Sequence, residues 1–268
     1  KEYERLYRRS IDDPNGFWGD MAQQQLVWMK PWTTVTSGEV PWVRWFEGGE
    51  LNLSANCLDR HLATRGDKPA IIWEGEPGDG RTLTFKELHA EVCRFAGALK
   101  KLGVERGDRV AIYMPMIPEA AIAMLACTRI GAPHTVVFGG FSAEALRDRI
   151  KDSNARLVIT ADGGWRRGQI VSLKDNVDKA IDGTQVSTVL VVNRCETTFS
   201  WNDKRDVWWH GTVDKASPKH EAVAHDSEHT LFTLYTSGTT GKPKGILHTT
   251  GGYLTFAAYT TKQVFDLK

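Results

Sequence analysis

Residues 235–245 read Tyr235-Thr236-Ser237-Gly238-Thr239-Thr240-Gly241-Lys242-Pro243-Lys244-Gly245. Glycines at 238, 241 and 245 are expected to allow positive φ and a close approach of backbone N–H groups, while the hydroxyls and lysines add donors and charge. Charge-assisted hydrogen bonds to phosphate contribute about 1.5–3 kcal/mol each. The segment therefore predicts a polyphosphate-binding loop.

The sequence on either side of this loop predicts two β-strands. Residues 230–235 (TLFTLY) form an apolar run that leads into the loop, and residues 246–249 (ILHT) form a second run that leaves it. The P-loop pattern G-x-x-x-x-G-K-[ST] does not fit, because Gly238 and Gly241 are too close and Pro243 stands where a Mg²⁺-binding Ser or Thr is needed. The alternative without a ligand is a flexible hairpin rich in turn residues.

Composition limits the function classes. With 34 Lys and Arg against 33 Asp and Glu, the chain has no overall field for nucleic acid or an anionic membrane, so an anion site has to be built locally. The four cysteines are far apart and show no C-x-x-C motif, which is typical of free thiols in a reducing compartment. We expect a soluble, cytoplasmic protein without nucleic-acid or membrane partners; its oligomeric state cannot be read from the sequence.

The order of predicted elements favours an α/β fold with mainly parallel β-sheets covered by helices. Residues 1–51 are rich in tryptophan and proline and predict a helical and irregular extension whose aromatic rings pack onto a larger body. From Asn52 onward helices and strands alternate, with helices at 53–64, 85–102, 118–130 and 143–153 and strands at 70–73, 81–84, 109–113, 134–138 and 157–160. Strands at 188–192 and around the loop are expected to start a second sheet.

Two strand-to-helix junctions are candidate ligand sites, because ligands of open α/β sheets bind beyond the carboxyl ends of strands. The first contains Gly139 and Gly140, which allow close approach of a ligand; the alternative is a tight turn with Ser142 as the helix N-cap. The second contains Arg166 and Arg167 beside Trp165, a pattern suited to a phosphate and a base, or else to a solvated turn.

Several long segments resemble the adenylate-forming superfamily, and among its members the short-chain acyl-CoA synthetases. These segments are the phosphate loop itself, residues 51–61 (LNLSANCLDRH), residues 113–120 (YMPMIPEA) and residues 131–142 (GAPHTVVFGGFS). The resemblance covers essentially the whole chain. It implies that residues 1–51 are the N-terminal extension of short-chain acyl-CoA synthetases and that residues 52–268 are the first part of the AMP-binding domain, truncated before its end.

The resemblance also implies the reaction: an AMP-forming acetate:CoA ligase that uses acetate, ATP, Mg²⁺ and CoA. By this likeness the β- and γ-phosphates of ATP are bound by Thr236, Ser237, Gly238, Thr239, Thr240, Gly241, Lys242 and Lys244. Thr239 or Thr240 is expected to contact Mg²⁺. CoA is expected to contact Gly139, Gly140, Arg166, Arg167 and Gln169, with Gln169 standing where some relatives have a second arginine.

No catalytic residue is assigned within the chain, because the adenylation lysine of the family and its acyl pocket belong to segments expected beyond Lys268. We therefore expect an N-terminal part that does not complete adenylation alone. The alternatives are a propionyl-CoA or other short-chain acyl-CoA synthetase and, from a different class, a non-catalytic module that binds nucleotide or CoA.

Overall fold

The most hydrophobic strands lie at the centre of a seven-stranded β-sheet. In the computed structural model, which describes residues 1–236 and 243–267, every residue of Val110–Met114 and Leu157–Ala161 is buried. Continuous apolar runs of this kind are typical of parallel strands covered on both faces. The predicted fold class is thus confirmed.

Helices and strands alternate along most of the described chain. The helices are α1 (Glu2–Asp12), α2 (Pro14–Gln25), α3 (Leu53–Cys57), α4 (Leu62–Arg65), α5 (Phe85–Lys101), α6 (Pro118–Ile130), α7 (Ala143–Ser153), α8 (Lys174–Ala180), α9 (Trp209–Val213) and α10 (Thr250–Gln263). The strands are β1 (Thr34–Ser37), β2 (Arg44–Glu47), β3 (Glu50–Leu51), β4 (Pro69–Glu74), β5 (Gly80–Thr84), β6 (Val110–Met114), β7 (His134–Phe138), β8 (Leu157–Ala161), β9 (Gly163–Arg166), β10 (Gln169–Ser172), β11 (Thr188–Val192), β12 (Asp206–Trp208), β13 (His225–Asp226), β14 (Thr230–Thr236) and β15 (Lys244–Thr249).

The large sheet has the strand order β12-β11-β8-β6-β7-β14-β15. All neighbouring pairs are parallel except β14 and β15, which form an antiparallel hairpin. Because parallel connections are right-handed as a rule, the crossovers to β7 and back to β8 on the two sides of β6 are expected to place α6 on one face and α7 on the other. Helix α7 packs with α8. The expected second sheet at 188–192 and around the loop is wrong, because β11 pairs with β8 and β14 pairs with β7.

The connection between β7 and β14 is narrow. A single register pair, Phe232 with His134, joins these two strands, whereas β6 and β7 share five such pairs from Val110–His134 to Met114–Phe138. The hairpin of β14 and β15 therefore belongs to the sheet through few backbone hydrogen bonds.

The predicted helix over 53–64 is interrupted. Asn52 caps its start, accepting a hydrogen bond from the backbone N–H of Ala55, but α3 ends at Cys57 and a 3₁₀ turn follows at Asp59–His61. Asp59 forms a double hydrogen bond with the buried guanidinium of Arg129, at 2.8 Å for each contact. This long-range ion pair thus begins at the first residue of the 3₁₀ turn.

The N-terminal extension packs against α10 and against its own small sheet of β1 and β2. The Trp18 ring lies 5.6 Å from that of Tyr259, and the Phe17 ring lies 5.5 Å from the same tyrosine. Trp28 and Trp32 pack around Phe46. The prediction that these tryptophans pack onto a larger body is confirmed for Trp18 and for Trp28, which also lies against Leu254 and Gly251 of α10. Trp32 packs on Trp28 and Phe46 within the extension, and the prediction is wrong for Trp42, whose side chain is 83% exposed.

Two further features concern thiols and membranes. The four cysteines at 57, 93, 127 and 195 are all free, as the sequence predicts. Among the helices in the described ranges, none has the length and apolarity needed to span a bilayer.

Candidate functional site

The glycine turn after β7 is held by a buried tyrosine from the neighbouring strand. The Tyr113 hydroxyl lies 3.2 Å from the carbonyl oxygen of Gly139 and 2.7 Å from that of Phe141, and it accepts a hydrogen bond from the Asn176 side chain. Burial raises the pKa of Tyr113, so the hydroxyl stays protonated and donates to the turn. Sequence reasoning missed Tyr113, although its position at the end of a buried strand was a usable signal.

Space, rather than unusual backbone angles, requires the two glycines. A Cβ atom on Gly139 would lie 3.1 Å from the carbonyl oxygen of Met114. A Cβ on Gly140 would collide with the Arg166 guanidinium and would lie 2.6 Å from the Phe138 ring. Neither glycine has positive φ. The turn then passes into α7, and the Ser142 hydroxyl caps that helix by accepting from the N–H of Ala145.

The segment with the paired arginines forms a β-hairpin, not the strand-to-helix junction expected from the sequence. Strands β9 and β10 pair antiparallel, and Arg167 and Gly168 occupy the tip with φ of 54° and 75°. Two consecutive residues with positive φ are the signature of a type I′ turn, whose twist matches the flanking strands. Only then does the chain enter α8.

This hairpin brings Arg166 to the glycine turn. The Arg166 guanidinium lies 5.1 Å from the centre of the Phe138 ring and contacts the position where Gly140 lacks a side chain. Gln169 is directly opposite Arg166 in the register, so their side chains lie on the same face of the hairpin. Three of the predicted CoA residues, Gly140, Arg166 and Gln169, therefore share one exposed surface, while Arg167 lies at the tip.

The hairpin is anchored at its base by Asp162, which sequence reasoning did not single out. This fully buried carboxylate accepts hydrogen bonds from the backbone N–H groups of Arg194 at 2.7 Å, Cys195 at 3.0 Å and Thr197 at 2.8 Å. Burial raises the pKa of Asp162, but these hydrogen bonds together outweigh it and hold the pKa below its usual range. The carboxylate thus stays charged and fixes the strand end that leads into the hairpin.

The two strands predicted on either side of the expected phosphate loop are present as β14 and β15, and they pair antiparallel in one hairpin. Thr236 at the end of β14 is paired with Lys244 at the start of β15. The expected ATP residues Ser237, Gly238, Thr239, Thr240, Gly241 and Lys242 lie outside the described residues, as does the expected Mg²⁺ contact.

The expectation of positive φ at Gly245 is wrong. Gly245 lies inside β15, and a Cβ there would lie 2.9 Å from Thr233 and 3.1 Å from the Tyr235 ring. This glycine makes room for the neighbouring strand.

The glycine turn and the hairpin of β14 and β15, here called the phosphate-loop stem, lie at the same edge of the sheet. β7 and β14 are parallel neighbours, so their carboxyl ends point the same way, and β8, which leads to the arginine hairpin, runs parallel to them. Ligands of open α/β sheets bind at this edge.

An open pocket of about 400 Å³ lies beside the stem and is lined by Asp148, Arg149, Lys151, Asp152, Tyr235 and Pro243. In the part of the chain that the structure describes, no group of three or more His, Cys, Asp or Glu side chains is suited to a metal ion.

Comparisons with known proteins agree with this architecture. The family model "AMP-binding enzyme" matches residues 58–268, and the model "Acetyl-coenzyme A synthetase N-terminus" matches residues 3–57. The acetyl-coenzyme A synthetase of Vibrio cholerae is 58% identical over 273 residues, covering 98% of this chain and 42% of the relative. Acetyl-coenzyme A synthetase 2 of Pseudomonas aeruginosa is 55% identical over 269 residues, covering 99% of this chain and 42% of the relative.

A solved structure shows the same fold. Acetoacetyl-CoA synthetase from Streptomyces lividans superposes with a TM-score of 0.92 at 29% identity, covering 100% of this chain and 41% of that protein. The chain therefore spans about 42% of the length of the curated relatives it matches.

Proposed function

Because the chain belongs to the AMP-binding enzyme family, we propose that it forms the N-terminal part of an AMP-forming acetate:CoA ligase. The observation that carries this proposal is the arrangement at the carboxyl edge of the sheet, where the phosphate-loop stem and the glycine turn with Arg166 follow parallel neighbouring strands. Relatives named acetyl-coenzyme A synthetase at 55–58% identity support acetate as the acid.

The proposed reaction has two steps. An acetate oxygen attacks the α-phosphorus of ATP and pyrophosphate leaves; the CoA thiol then loses its proton and attacks the acyl carbon of acetyl-adenylate, and AMP leaves. No covalent bond to the protein is needed, so the work of the chain is to orient the reactants and to offset charge on the phosphoryl oxygens.

We assign the ATP phosphates to the loop between β14 and β15, from Thr236 to Lys244. The lysines supply charge, and the glycines and hydroxyls supply donors. Mg²⁺ supplies further neutralisation of the phosphates, and the hydroxyl oxygens of Thr239 and Thr240 belong to the donor type that this hard cation prefers.

We assign the nucleotide portion of CoA to the surface of Gly139, Gly140, Arg166, Arg167 and Gln169. The exposed guanidinium of Arg166 suits a phosphate, and the small glycines leave room beside it. Since Gln169 carries no charge on the same face, Arg166 and Arg167 are the cations available on this hairpin.

The division into an extension, residues 1–51, and the first part of an AMP-binding domain, residues 52–268, is proposed on the same resemblance. A cytoplasmic location is proposed as well, supported by the four free thiols.

The experiment uses a full-length protein, one that contains residues 1–268 and is as long as the relatives. We expect acetate-dependent exchange of labelled pyrophosphate into ATP, and formation of acetyl-CoA when CoA is added. Turnover with acetate, propionate and butyrate then identifies the acid, with the highest kcat/KM expected for acetate. Absence of exchange with all three acids would overturn the proposed function, and a preference for propionate would favour the alternative synthetase.

Two further experiments test the proposed phosphate site and the activity of residues 1–268 alone. Lys242→Ala combined with Lys244→Ala is expected to weaken ATP binding in calorimetry by at least about tenfold, the loss of one or more charge-assisted contacts. The chain of residues 1–268 alone is expected to give no acetate-dependent pyrophosphate exchange. Equal ATP affinity of the double variant and the parent would remove the loop from the site.

A further inference from the structure

The C-terminal half of α7 contacts the strand end that leads into the phosphate loop. The Tyr235 hydroxyl lies 2.5 Å from Oδ2 of Asp152. Burial, and next the hydrogen bond to Asp152, raise the pKa of Tyr235, so its hydroxyl is the donor. One helical turn earlier on the same face, the Arg149 guanidinium lies 5.4 Å from the centre of the Tyr235 ring.

Arg149 also contacts the glycine turn. Its guanidinium lies 4.7 Å from the centre of the Phe141 ring, and its Nη1 donates a 2.6 Å hydrogen bond to the carbonyl oxygen of Ala145. The side chain is only 8% exposed. A planar cation between two aromatic faces gains from both of them, and the backbone contact fixes its orientation.

The end of β14 is paired with β15 at Tyr235 and Gly245, but on its β7 side the backbone gives it little support. Strand β14 is joined to β7 by the single pair of Phe232 and His134, and Tyr235 lies three residues beyond that pair. On the side that faces β7, the end of β14 is therefore held by side chains of α7. The same helix begins at Ala143, at the end of the turn that contains Gly139 and Gly140, so one element connects the two segments.

We propose that Arg149 and Asp152 are positioning residues. They hold the end of β14, which leads into the phosphate loop, and the glycine turn against the same helix, α7. This inference rests on the proposed function, in which the two segments bind ATP and CoA. Arg149 acts on both through the rings of Tyr235 and Phe141. Asp152 acts on the ATP side alone, through the Tyr235 hydroxyl.

The test compares Arg149→Met, Tyr235→Phe and Asp203→Asn in the full-length enzyme. Arg149→Met keeps the length of the side chain but removes the cation, and it is expected to raise both the KM for ATP and the KM for CoA by about fivefold. Tyr235→Phe removes one oxygen and is expected to raise the KM for ATP by about threefold to tenfold while the KM for CoA stays within about twofold. Asp203→Asn makes the same kind of change at an exposed carboxylate in a turn outside this pocket, and it is expected to leave both KM values unchanged.

These outcomes separate positioning from general stability. Thermal unfolding is measured for each variant, and a lower Tm or kcat with unchanged KM values would overturn the positioning role. An equal rise in the two KM values for Tyr235→Phe would overturn the separate assignment of Asp152. If Arg149→Met does not fold, Tyr235→Phe still tests the contact with Asp152, because it removes only the hydroxyl and keeps the ring that Arg149 touches.

Failure of the inference can be told from failure of the function. A wild-type enzyme that forms no acetyl-CoA overturns both. An active wild type in which Arg166→Ala raises the KM for CoA while Arg149→Met changes neither KM overturns only the positioning role.

Discussion

The absence of a side chain at Gly140 leaves the space that the Arg166 guanidinium occupies. Because a methyl group here would collide with the guanidinium and with the Phe138 ring, Gly140→Ala is expected to displace Arg166 from the turn. The KM for CoA should rise by about tenfold, the loss of one charged phosphate contact, with a smaller change in the KM for ATP. Steady-state kinetics of the full-length enzyme measures both.

The matched control is Gly97→Ala. Gly97 lies inside α5, and a Cβ there meets no atom within 4 Å. This change is expected to leave both KM values unchanged and to stabilise the helix by about 0.5–1 kcal/mol. An unchanged KM for CoA in Gly140→Ala would place the coenzyme elsewhere.

His89 is expected to make the free energy of unfolding depend on pH, and the direction follows from its pKa. The hydrogen bond to Asp59 at 3.3 Å, and next the contact with Cys93, raise the pKa of His89 from 6.5 to about 9. Because the folded pKa is the higher one, the stabilisation is complete below pH 6.5 and is lost as pH rises through 9. The free energy of unfolding should fall by about 1–2 kcal/mol across this window, since partial exposure screens the pair.

Denaturant titrations between pH 6 and 9.5 measure this fall. In His89→Gln the slope should be reduced over the same range, because the group that titrates is gone. A variant with the same slope as the parent would assign the pH dependence to another group.

At the scale of elements, α5 depends on its N-terminal cap. The Thr84 hydroxyl accepts from the N–H of Glu87 at 3.2 Å, and the Glu87 carboxylate accepts from the N–H of Thr84 at 2.8 Å. Thr84→Ala is expected to lower the free energy of unfolding by about 1 kcal/mol. Thr84→Ser should keep most of that stabilisation, because serine retains the capping hydroxyl. Urea unfolding of the three proteins checks this, and equal losses for Ala and Ser would show that the hydroxyl is not the source.

Elements with local start and stop signals could be predicted closely from the sequence. Helix α6 begins at Pro118 and ends before Gly131, whose φ is 74°, and α7 lies between the Ser142 cap and Asn154 with φ of 54°. These signals are properties of neighbouring residues. Both helices have the bounds that the sequence predicts.

Elements decided by distant contacts could not be predicted in this way. The break in the helix over 53–64 lies where Asp59 contacts Arg129, some 70 positions later, and β14 joins the seven-stranded sheet through the pairing of Phe232 with His134. The same holds for the candidate site. Its glycines and arginines are visible in the sequence, whereas Tyr113, Arg149 and Asp162 gain their roles only from partners that the fold brings close.

At the scale of the whole molecule, the N-terminal extension and α10 stabilise each other. Trp18 contacts Tyr259 and also Phe256 of that helix, so Trp18→Ala should lower the free energy of unfolding by about 2–3 kcal/mol, below the 3–5 kcal/mol of a fully buried tryptophan. Trp42→Ala is the control, since its ring is 83% exposed and its loss should change stability by no more than about 0.5 kcal/mol.

Hydrogen exchange of the α10 amides reads out the same contact. Exchange should accelerate in Trp18→Ala and stay at the parent rate in Trp42→Ala. Similar effects of the two changes would show that the extension does not stabilise α10 through Trp18.

The partnership of Trp18 with Tyr259 has a consequence for biosynthesis. A ribosome adding about 5–20 residues per second makes the second ring some 10–50 s after the first. During that interval Trp18 has no completed docking surface, although the central strands β6 and β8 are made well before position 259. The aromatic side chains around Trp18 thus stay exposed until translation has passed position 259, and a chaperone that binds exposed aromatic side chains is expected to bind there.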